Sequence, residues 1–338
     1  MKNILQILGI LTFASSQLFG GCGAMITKEK PKQTPPPPNP TSVYLSSPCY
    51  CFEAGFSPLY LQPSANNLDY AAEAEPFDFA VPNPALSPNW IIYDISPGYH
   101  FGFDAEIAAI FHGVNSRLSL DWERFHMDNE SNAQNVPSVD MIGPFFEIGP
   151  DASFYKKSTG YVNFHFDEIN LDYGTLVNFG NRLSMELFSG VSFSRIIQYR
   201  KTHFAAYQHA AQRTIKVPSK FWGIGPQIGV DFAYRIIEGL KFIGNTKASL
   251  YVGRLWNKTT YSTTSNELNV LGGPNPNIQT TTVYNRAGVV PGFEGMLGFA
   301  YDIPFLCNYL VKLEAGYLAQ IYLNAIRSID MGSEVSLT

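Results

Sequence analysis

The sequence has few charged residues and few long apolar runs. Only 15% of its 338 residues are charged, against roughly 25% in a typical soluble domain. Beyond the N-terminus no stretch approaches the roughly 20 consecutive apolar residues that a membrane-spanning helix needs. The mean hydropathy of -0.05 is likewise low for a helical membrane protein. These absences argue against both a typical soluble domain and a bundle of membrane helices.

Motifs of catalysis and of nucleic-acid binding are missing as well. The sequence has no Gly-Xaa-Ser-Xaa-Gly elbow, no P-loop, no His-Glu-Xaa-Xaa-His and no Cys-Xaa-Xaa-Cys pair. The net charge of -5 argues against a nucleic-acid partner. His203 and His209 share a loop, where solvated side chains are favoured over a metal site. We therefore expect no enzyme activity, no cofactor and no bound metal.

What the sequence has instead is long stretches of period-two alternation. Between positions 222 and 235, large apolar residues occupy most even positions, and small or polar residues occupy the odd ones. This alternation predicts a β-strand with one apolar and one polar face. Segment 247–256 repeats the pattern, and a connection near Gly239 would pair the two strands as a hairpin. Strands of roughly 14 residues, against about 5 or 6 in globular proteins, predict a barrel standing in a membrane.

The same alternation marks nine strand candidates, and their connections alternate between short and long. Short periplasmic turns and long extracellular loops are typical of outer-membrane barrels. The predicted fold is therefore all-β, a transmembrane antiparallel up-and-down β-barrel of about ten strands, with 12 to 16 as alternatives. A change of phase between Phe166 and Ile169 predicts a β-bulge. The candidates are 52–61, 99–111, 117–123, 161–173, 182–196, the two strands of hairpin 221–256, 292–301 and 311–323.

The N-terminus predicts export from the cytoplasm. Lys2, the apolar run 4–14 and the small residues around Cys22 indicate a secretory signal peptide over residues 1–24. A lipoprotein signal with Cys22 lipidated is less favoured, because Phe19 stands where such a signal has Leu. Residues 25–50 are proline-rich and predict an extended periplasmic leader. Residues 51–338 would then form the barrel in the bacterial outer membrane.

Nine strands leave such a barrel one strand short, because single-chain bacterial barrels have an even number. Residues 334–338 alternate like the start of a descending strand, and the sequence then stops without an aromatic terminal residue. Either a strand is missed, within 48–90 or in a long loop, or the last strand has been lost. We favour the loss, which predicts an open edge at 311–323.

Several of these segments resemble a known family. The runs SKFWGIGPQIGVDFAYRI, KASLYVGRLW, PGYHFGFDAEIAAIF, LSLDWERF and VKLEAGYLAQIYLN look like the Legionella-type major outer membrane protein family, which also occurs in chlamydia-like bacteria. The resemblance covers about residues 51–324. It implies a porin or porin-like surface barrel whose cysteines cross-link it to other envelope proteins, and it implies no catalytic residues.

The function predicted for such a barrel is passive diffusion of small hydrophilic solutes. Nine of the twelve charged residues assigned to the lumen by strand parity are acidic, so an open pore should prefer cations. A bore of about ten strands is narrow, which keeps a filled barrel with a structural or adhesive role as an alternative. An outer-membrane lipase or protease, with His126 and Ser131 as its catalytic pair, is less favoured. The pore-lining candidates are Asp104, Glu106, Arg117, Asp121, Glu123, Asp167, Arg182, Glu186, Asp231, Lys247, Glu294 and Glu314.

The predicted partners are outer-membrane lipid, small hydrophilic solutes and other envelope proteins, and a homotrimer is an assembly to test. After signal removal Cys49, Cys51 and Cys307 would lie on the periplasmic side, where oxidising conditions allow a disulfide. An odd number of cysteines leaves at least one for an intermolecular partner or as a free thiol.

Overall fold

The computed structural model describes residues 4–20, 50–74, 91–111, 113–133, 141–144, 155, 157–205, 212–263, 278–305 and 309–326. Ten of its strands form one closed antiparallel barrel, and three short strands, 91–94, 69–74 and 141–144, form a separate small sheet in that order. Among the described residues no helix is long and apolar enough to cross a bilayer. In chain order the strands are β1 (Ile4–Gly20), β2 (Tyr50–Ala65), β3 (Asp69–Ala74), β4 (Ile91–Asp94), β5 (His100–Phe111), β6 (Ser116–Ala133), β7 (Met141–Pro144), β8 (Lys157–Phe179), β9 (Leu183–Ala205), β10 (Gln212–Arg235), β11 (Leu240–Thr263), β12 (Ile278–Phe305) and β13 (Tyr309–Leu323).

The predicted all-β barrel is confirmed, with ten strands in the ring. All nine strand candidates are barrel strands: β2, β5, β6 and β8 to β13. The strands are longer than the sequence pattern predicted, and β12 reaches 28 residues. Positions 124–133, 157–160, 197–205 and 212–220, which lie between the strand candidates, therefore continue the strands. In these extensions the outward side chains are polar, so a search for strands with an apolar outer face does not recognise them.

Four short connections mark one end of the barrel: 112–115, 180–182, 236–239 and 306–308. Three of them contain a residue with left-handed backbone, Asn115 (φ 50°), Gly180 (φ 66°) and Gly239 (φ 82°). Glycine and asparagine tolerate this conformation, which tight turns require. Because outer-membrane barrels have their short turns in the periplasm, we assign this end to the periplasmic side and the other to the outside.

The apolar side chains of the strands change from one face to the other about half-way along the barrel. Near the short turns, outward side chains such as Ile228 (65% exposed) are apolar. In the outer half the inward residues are apolar and buried, as Phe164 and Phe204 are, and the outward ones are polar, as Lys201 is. The outward apolar residues define a lipid-facing band. It includes Leu118, Leu120, Ile169, Leu171, Leu187, Val191, Ile224, Ile228, Leu250, Val252, Leu297 and Phe299.

The β-bulge predicted between Phe166 and Ile169 is wrong. Strand β8 pairs with β6 and with β9 in unbroken register through these positions. The change of phase in the sequence is the exchange of character between the two faces. Phe166 is buried inside the barrel, whereas Ile169 is exposed on its outer surface, and the strand needs no irregularity to achieve both.

The chain segments between barrel strands at the outer end fold into the mouth of the barrel. We call the described residues 66–74, 91–99, 141–144 and 155 the plug. Its side chains Leu68, Tyr70, Ile95, Ile142 and Tyr155 are buried in one hydrophobic cluster with inward residues of the barrel wall. The wall residues of this cluster include Leu59, Leu61, Phe125, Met127, Val162, Phe164, Phe166, Ile196, Phe204 and Phe221. The outer half of the barrel therefore has a packed apolar core.

Closure of the ring depends on β1, which lies between β2 and β13. This is the stretch that the sequence predicts to be a signal peptide, and its removal would leave β2 and β13 each with an unpaired edge. The open edge expected at 311–323 is absent from the full chain because β1 pairs there. Signal cleavage and loss of a last strand stay predictions, and residues 25–49 of the leader and residues 334–338 lie outside the described residues. Tyr50, the last residue assigned to the leader, is the first residue of β2.

Glycine at position 225 allows β10 and β11 to approach closely. A Cβ atom there would lie 1.9 Å from the backbone oxygen of Leu250. Gly225→Val is therefore expected to lower the free energy of unfolding by about 1–3 kcal/mol, since the backbone must move. Urea unfolding in lipid vesicles measures it. Gly295→Val is the matched control, because a Cβ there meets nothing within 4 Å, and equal losses in the two variants would contradict the close approach.

Candidate solute chamber

The periplasmic half of the barrel encloses a cavity of about 360 Å³. We call it the chamber. Among the described residues, ten carboxyl groups and three cationic side chains line it, so acidic groups on its wall far outnumber basic ones. The carboxylates are Glu53, Asp104, Glu106, Asp121, Glu123, Asp172, Glu186, Asp231, Glu294 and Glu314, and the cations are Arg117, Lys247 and Lys312.

Ten of the twelve pore-lining candidates lie on the wall of the chamber. They are Asp104, Glu106, Arg117, Asp121, Glu123, Glu186, Asp231, Lys247, Glu294 and Glu314. Strand parity found them because in this half of the barrel the polar face is the inner one.

Asp167 and Arg182 do not line the lumen, so the prediction is wrong for these two residues. Asp167 is on the outer surface, where its carboxylate lies 3.6 Å from the guanidinium of Arg124. Asp167 lies where the apolar side chains of β8 change from the inner to the outer face. The alternation of the apolar residues before it therefore predicted the wrong face for Asp167. Arg182 is exposed in the turn 180–182, before β9 begins.

Four charged residues in or beside the chamber were not among the candidates: Glu53, Glu168, Asp172 and Lys312. Glu168 and Asp172 share the inner face of β8, and a parity count that allowed for the exchange of faces would have found them. Lys312 is two residues before Glu314 and forms an ion pair with it, so the same parity would have identified it.

A hydrogen-bonded layer separates the chamber from the plug. Its centre is Glu168, whose side chain is 0% exposed. The ammonium of Lys247 lies 3.0 Å from Glu168 Oε1 and 2.8 Å from Glu294 Oε2. The hydroxyls of Tyr251 and Tyr322 donate to Glu168 Oε2 at 2.9 and 2.6 Å. We call these five residues the Glu168 layer.

Contacts of this layer join walls that are far apart in the barrel. The bond from Tyr322 to Glu168 links β13 to β8, and Gln320 Nε2 donates to Glu123 Oε2 at 2.6 Å, linking β13 to β6. On its outer side the ring of Tyr322 packs on Phe166, with 5.4 Å between ring centres. The lumen at this level is therefore filled by side chains bonded across it.

Nearer the periplasmic turns, Arg117 neutralises part of the acidic wall. Its guanidinium lies 3.1 Å from Glu53, 2.5 Å from Glu106 and 3.7 Å from Glu186. Higher up, Glu123 Oε1 is buried and accepts no hydrogen bond from the described residues. Buried carboxylate oxygens usually have a hydrogen-bond partner, and Glu123 lines the chamber.

A few polar contacts fix the plug to the barrel wall. The guanidinium of Arg200, on the inner face of β9, donates to the backbone oxygens of Asn67 and Asp69, the latter at 3.1 Å. The amides of Asn67 and Gln198 exchange hydrogen bonds of 2.8 and 3.0 Å. Gln62 Nε2 donates to the backbone oxygen of Pro97 at 2.7 Å. Arg200 thus contacts two residues of the plug at once.

Among the described residues, the histidines considered for a catalytic or metal site do not come together to form one. His126 stacks on His165, with 3.9 Å between ring centres, on the outer surface of the barrel. An odd separation along β6 puts positions 126 and 131 on opposite faces. His203 contacts the hydroxyl of Thr214 at 3.0 Å, burial lowers its pKa, and His209 lies outside the described residues. In the described part of the chain no three His, Cys, Asp or Glu side chains are placed to hold a metal ion.

Of the three cysteines, only Cys51 is within the described residues. It is buried at the start of β2, opposite Ile110 at the periplasmic end of β5. Cys51 is disulfide-bonded, but Cys49 and Cys307 lie outside those residues, so which cysteine is its partner stays a prediction.

A family model described as the Legionella pneumophila major outer membrane protein precursor matches residues 46–337. The chain belongs to this family. The resemblance seen in the sequence is therefore confirmed, and the protein is an outer-membrane β-barrel protein. A comparison with curated protein sequences found no match.

Among solved structures, the chain is similar to the outer membrane protease OmpT from Escherichia coli, with 9% identity, a TM-score of 0.33 and coverage of 95% of this chain and 96% of that one. It is also similar to the toluene transporter TodX of P. putida, with 5% identity, a TM-score of 0.23 and coverage of 97% and 91%. A Pseudomonas aeruginosa FadL homologue has 9% identity, a TM-score of 0.20 and coverage of 95% and 89%. Scores this low carry no argument about function.

Proposed function

We propose that this protein is a gated channel that lets small hydrophilic solutes, cations above all, cross the outer membrane. The observation that carries the proposal is the chamber, where among the described residues ten carboxylates face three cationic side chains. Buried charges without partners are costly, so a wall with this charge excess needs water and mobile cations beside it.

The size of the chamber supports small solutes. A cavity of about 360 Å³ has room for on the order of ten water molecules. Rings of carboxylates concentrate cations and repel anions. The expected cargo is therefore a small cation or a small uncharged hydrophilic molecule.

Gating follows from the plug and the Glu168 layer, which together fill the lumen on the outer side of the chamber. Passage requires both to move aside. Arg200 anchors the plug to the wall, because its guanidinium donates hydrogen bonds to two backbone oxygens of the plug.

A filled barrel with a structural or adhesive role is the second candidate. It is favoured by the apolar core between the plug and the wall, to which 23 buried residues of the described part of the chain belong. A core of that size resists displacement, since each large apolar side chain contributes about 1.5–3 kcal/mol on burial.

Single-channel conductance distinguishes the two candidates. For wild-type protein in planar bilayers, we expect brief and infrequent openings. Arg200→Ala is expected to raise the open fraction about tenfold or more, because the plug loses both backbone contacts of the guanidinium. Arg182→Ala is the matched control, since this arginine is exposed in a periplasmic turn, and it should behave as wild type.

In a KCl gradient the openings should have a reversal potential that indicates cation preference. Anion preference would contradict the acidic chamber as the conducting path. A folded Arg200→Ala barrel that stays silent would favour the filled structural barrel. Lipid hydrolysis by the folded barrel would favour the enzyme alternative instead.

A further inference from the structure

The outer surface of three neighbouring strands carries a concentration of positive charge that the channel proposal does not use. The residues are Arg195 and Lys201 on β9, Lys216 and Lys220 on β10, and Arg254 and Lys258 on β11. We call them the basic patch. All of them alternate with buried residues along their strands, so they face away from the barrel interior.

The pairing of the strands fixes the arrangement of the patch. Trp222 pairs with Arg195 on one side and with Arg254 on the other. One step further out, Lys220 pairs with Trp256 and its ammonium lies 5.2 Å from the centre of that ring. Adjacent strands are about 4.8 Å apart, so a row of Arg195, Trp222 and Arg254 spans about 10 Å. Lys201 and Lys216 pair directly with each other still further out.

Most of the positive charges of the patch are not balanced locally. Asp167, on the neighbouring strand β8, lies opposite Arg195 in the strand pairing, but its carboxylate forms an ion pair with Arg124. No ion pair joins any of the six to a carboxylate among the described residues. Two lysines that face each other directly repel. An uncompensated cluster of this kind, on a chain with a net charge of -5, is complementary to an anionic partner.

The position of the patch decides which anionic partner fits. It begins where the lipid-facing band ends, since Ile224 and Val252 are the last apolar residues of the band below Trp222 and Arg254. Tryptophans at such a boundary lie at the level of lipid headgroups. The patch is on the outer side, because the short turns are at the opposite end of the strands. Its charges therefore meet the headgroups of the outer leaflet.

We propose that the basic patch binds the phosphate groups of a phosphorylated glycolipid in the outer leaflet. Arg195 and Arg254 bind phosphate on either side of Trp222. Guanidinium groups bind phosphate with two parallel hydrogen bonds. The lysines further out add charge at the level of the more distal headgroup atoms.

Titration of the refolded full chain with bacterial lipopolysaccharide tests the proposal. Tryptophan fluorescence is the readout, because Trp222 and Trp256 lie within the patch. We expect binding that weakens with salt and that weakens about tenfold or more when the glycolipid has been dephosphorylated. The double variant Arg195→Gln/Arg254→Gln should also lose about tenfold or more in affinity. Arg182→Gln/Arg235→Gln, which removes two exposed arginines at the periplasmic end, should bind as wild type.

The variant Lys201→Gln/Lys216→Gln provides a second measurement if the arginine variant does not fold, and it is expected to lose about fivefold or more. Unchanged affinity in the folded patch variants, or equal affinity for the dephosphorylated glycolipid, would overturn the proposal. Equally tight binding of inorganic phosphate would assign the patch to a free anion, and equally tight binding of polyglutamate would assign it to an acidic protein. Either result would overturn the lipid assignment.

Discussion

Replacing Lys247 with Met is expected to lower the free energy of unfolding by about 3–5 kcal/mol. The ammonium of Lys247 lies within 3.0 Å of both Glu168 and Glu294, and its side chain is only 10% exposed. Removing one member of a buried ion pair leaves the remaining charge unpaired in a poorly solvated place, which costs about this much. Urea unfolding in lipid vesicles measures the loss.

Two further variants make this prediction specific. Lys241→Met removes a lysine from the same strand whose ammonium contacts Asp302 at 2.5 Å. That pair is near the periplasmic turn and more exposed, so its loss should cost about 1 kcal/mol or less. Adding Glu168→Gln to Lys247→Met should recover part of the stability, because the buried negative charge is then gone. Equal losses for Lys247→Met and Lys241→Met would mean that the Glu168 layer is hydrated.

Replacing Ile228 with Arg is expected to lower the stability of the inserted barrel by about 2–4 kcal/mol, the cost of a cation on the lipid face near the bilayer midplane. Ile228 is on the outer surface of β10 within the lipid-facing band. Insertion into lipid vesicles and urea unfolding of the inserted protein both measure the effect.

Val283→Arg is the matched control for that substitution. Val283 is also exposed, at 57%, but it pairs with Lys258, above the band, and we expect at most about 1 kcal/mol from repulsion between the two cations. If both variants inserted equally well, the band would not be the part of the barrel that faces lipid. Failure of both would mean that the lipid-facing region extends to the level of Lys258.

The sequence was sufficient for the strands of the membrane half and for most of the chamber. In segments such as 222–235, one face meets lipid and the other meets water, so alternation reports directly which side each residue occupies. Asp104, Glu186 and Lys247 were assigned to the lumen on this basis, and they line the chamber. The family resemblance rested on the same segments.

Alternation failed where the environment of the two faces changed. From Phe166 toward the outer end of β8, the interior of the barrel is apolar and its outer surface faces water. A rule that places every apolar face against lipid therefore assigned Asp167 to the wrong side. No local signal distinguishes this exchange from a β-bulge. The chain segments that fill the barrel mouth also lack a strong pattern, because Leu68, Tyr70 and Ile95 are scattered among polar residues.

The sequence by itself therefore determined that the chain is a membrane barrel with a polar, acidic interior, because period-two alternation is a local property of each strand. Only the tertiary structure decided that the interior is divided into a chamber and a packed outer core, and that Ile4–Gly20 completes the ring in the full chain. Contacts such as those of Glu168 with Lys247 and Tyr322 join residues from strands far apart in sequence. Their existence depends on ring closure and strand stagger, which no single segment encodes.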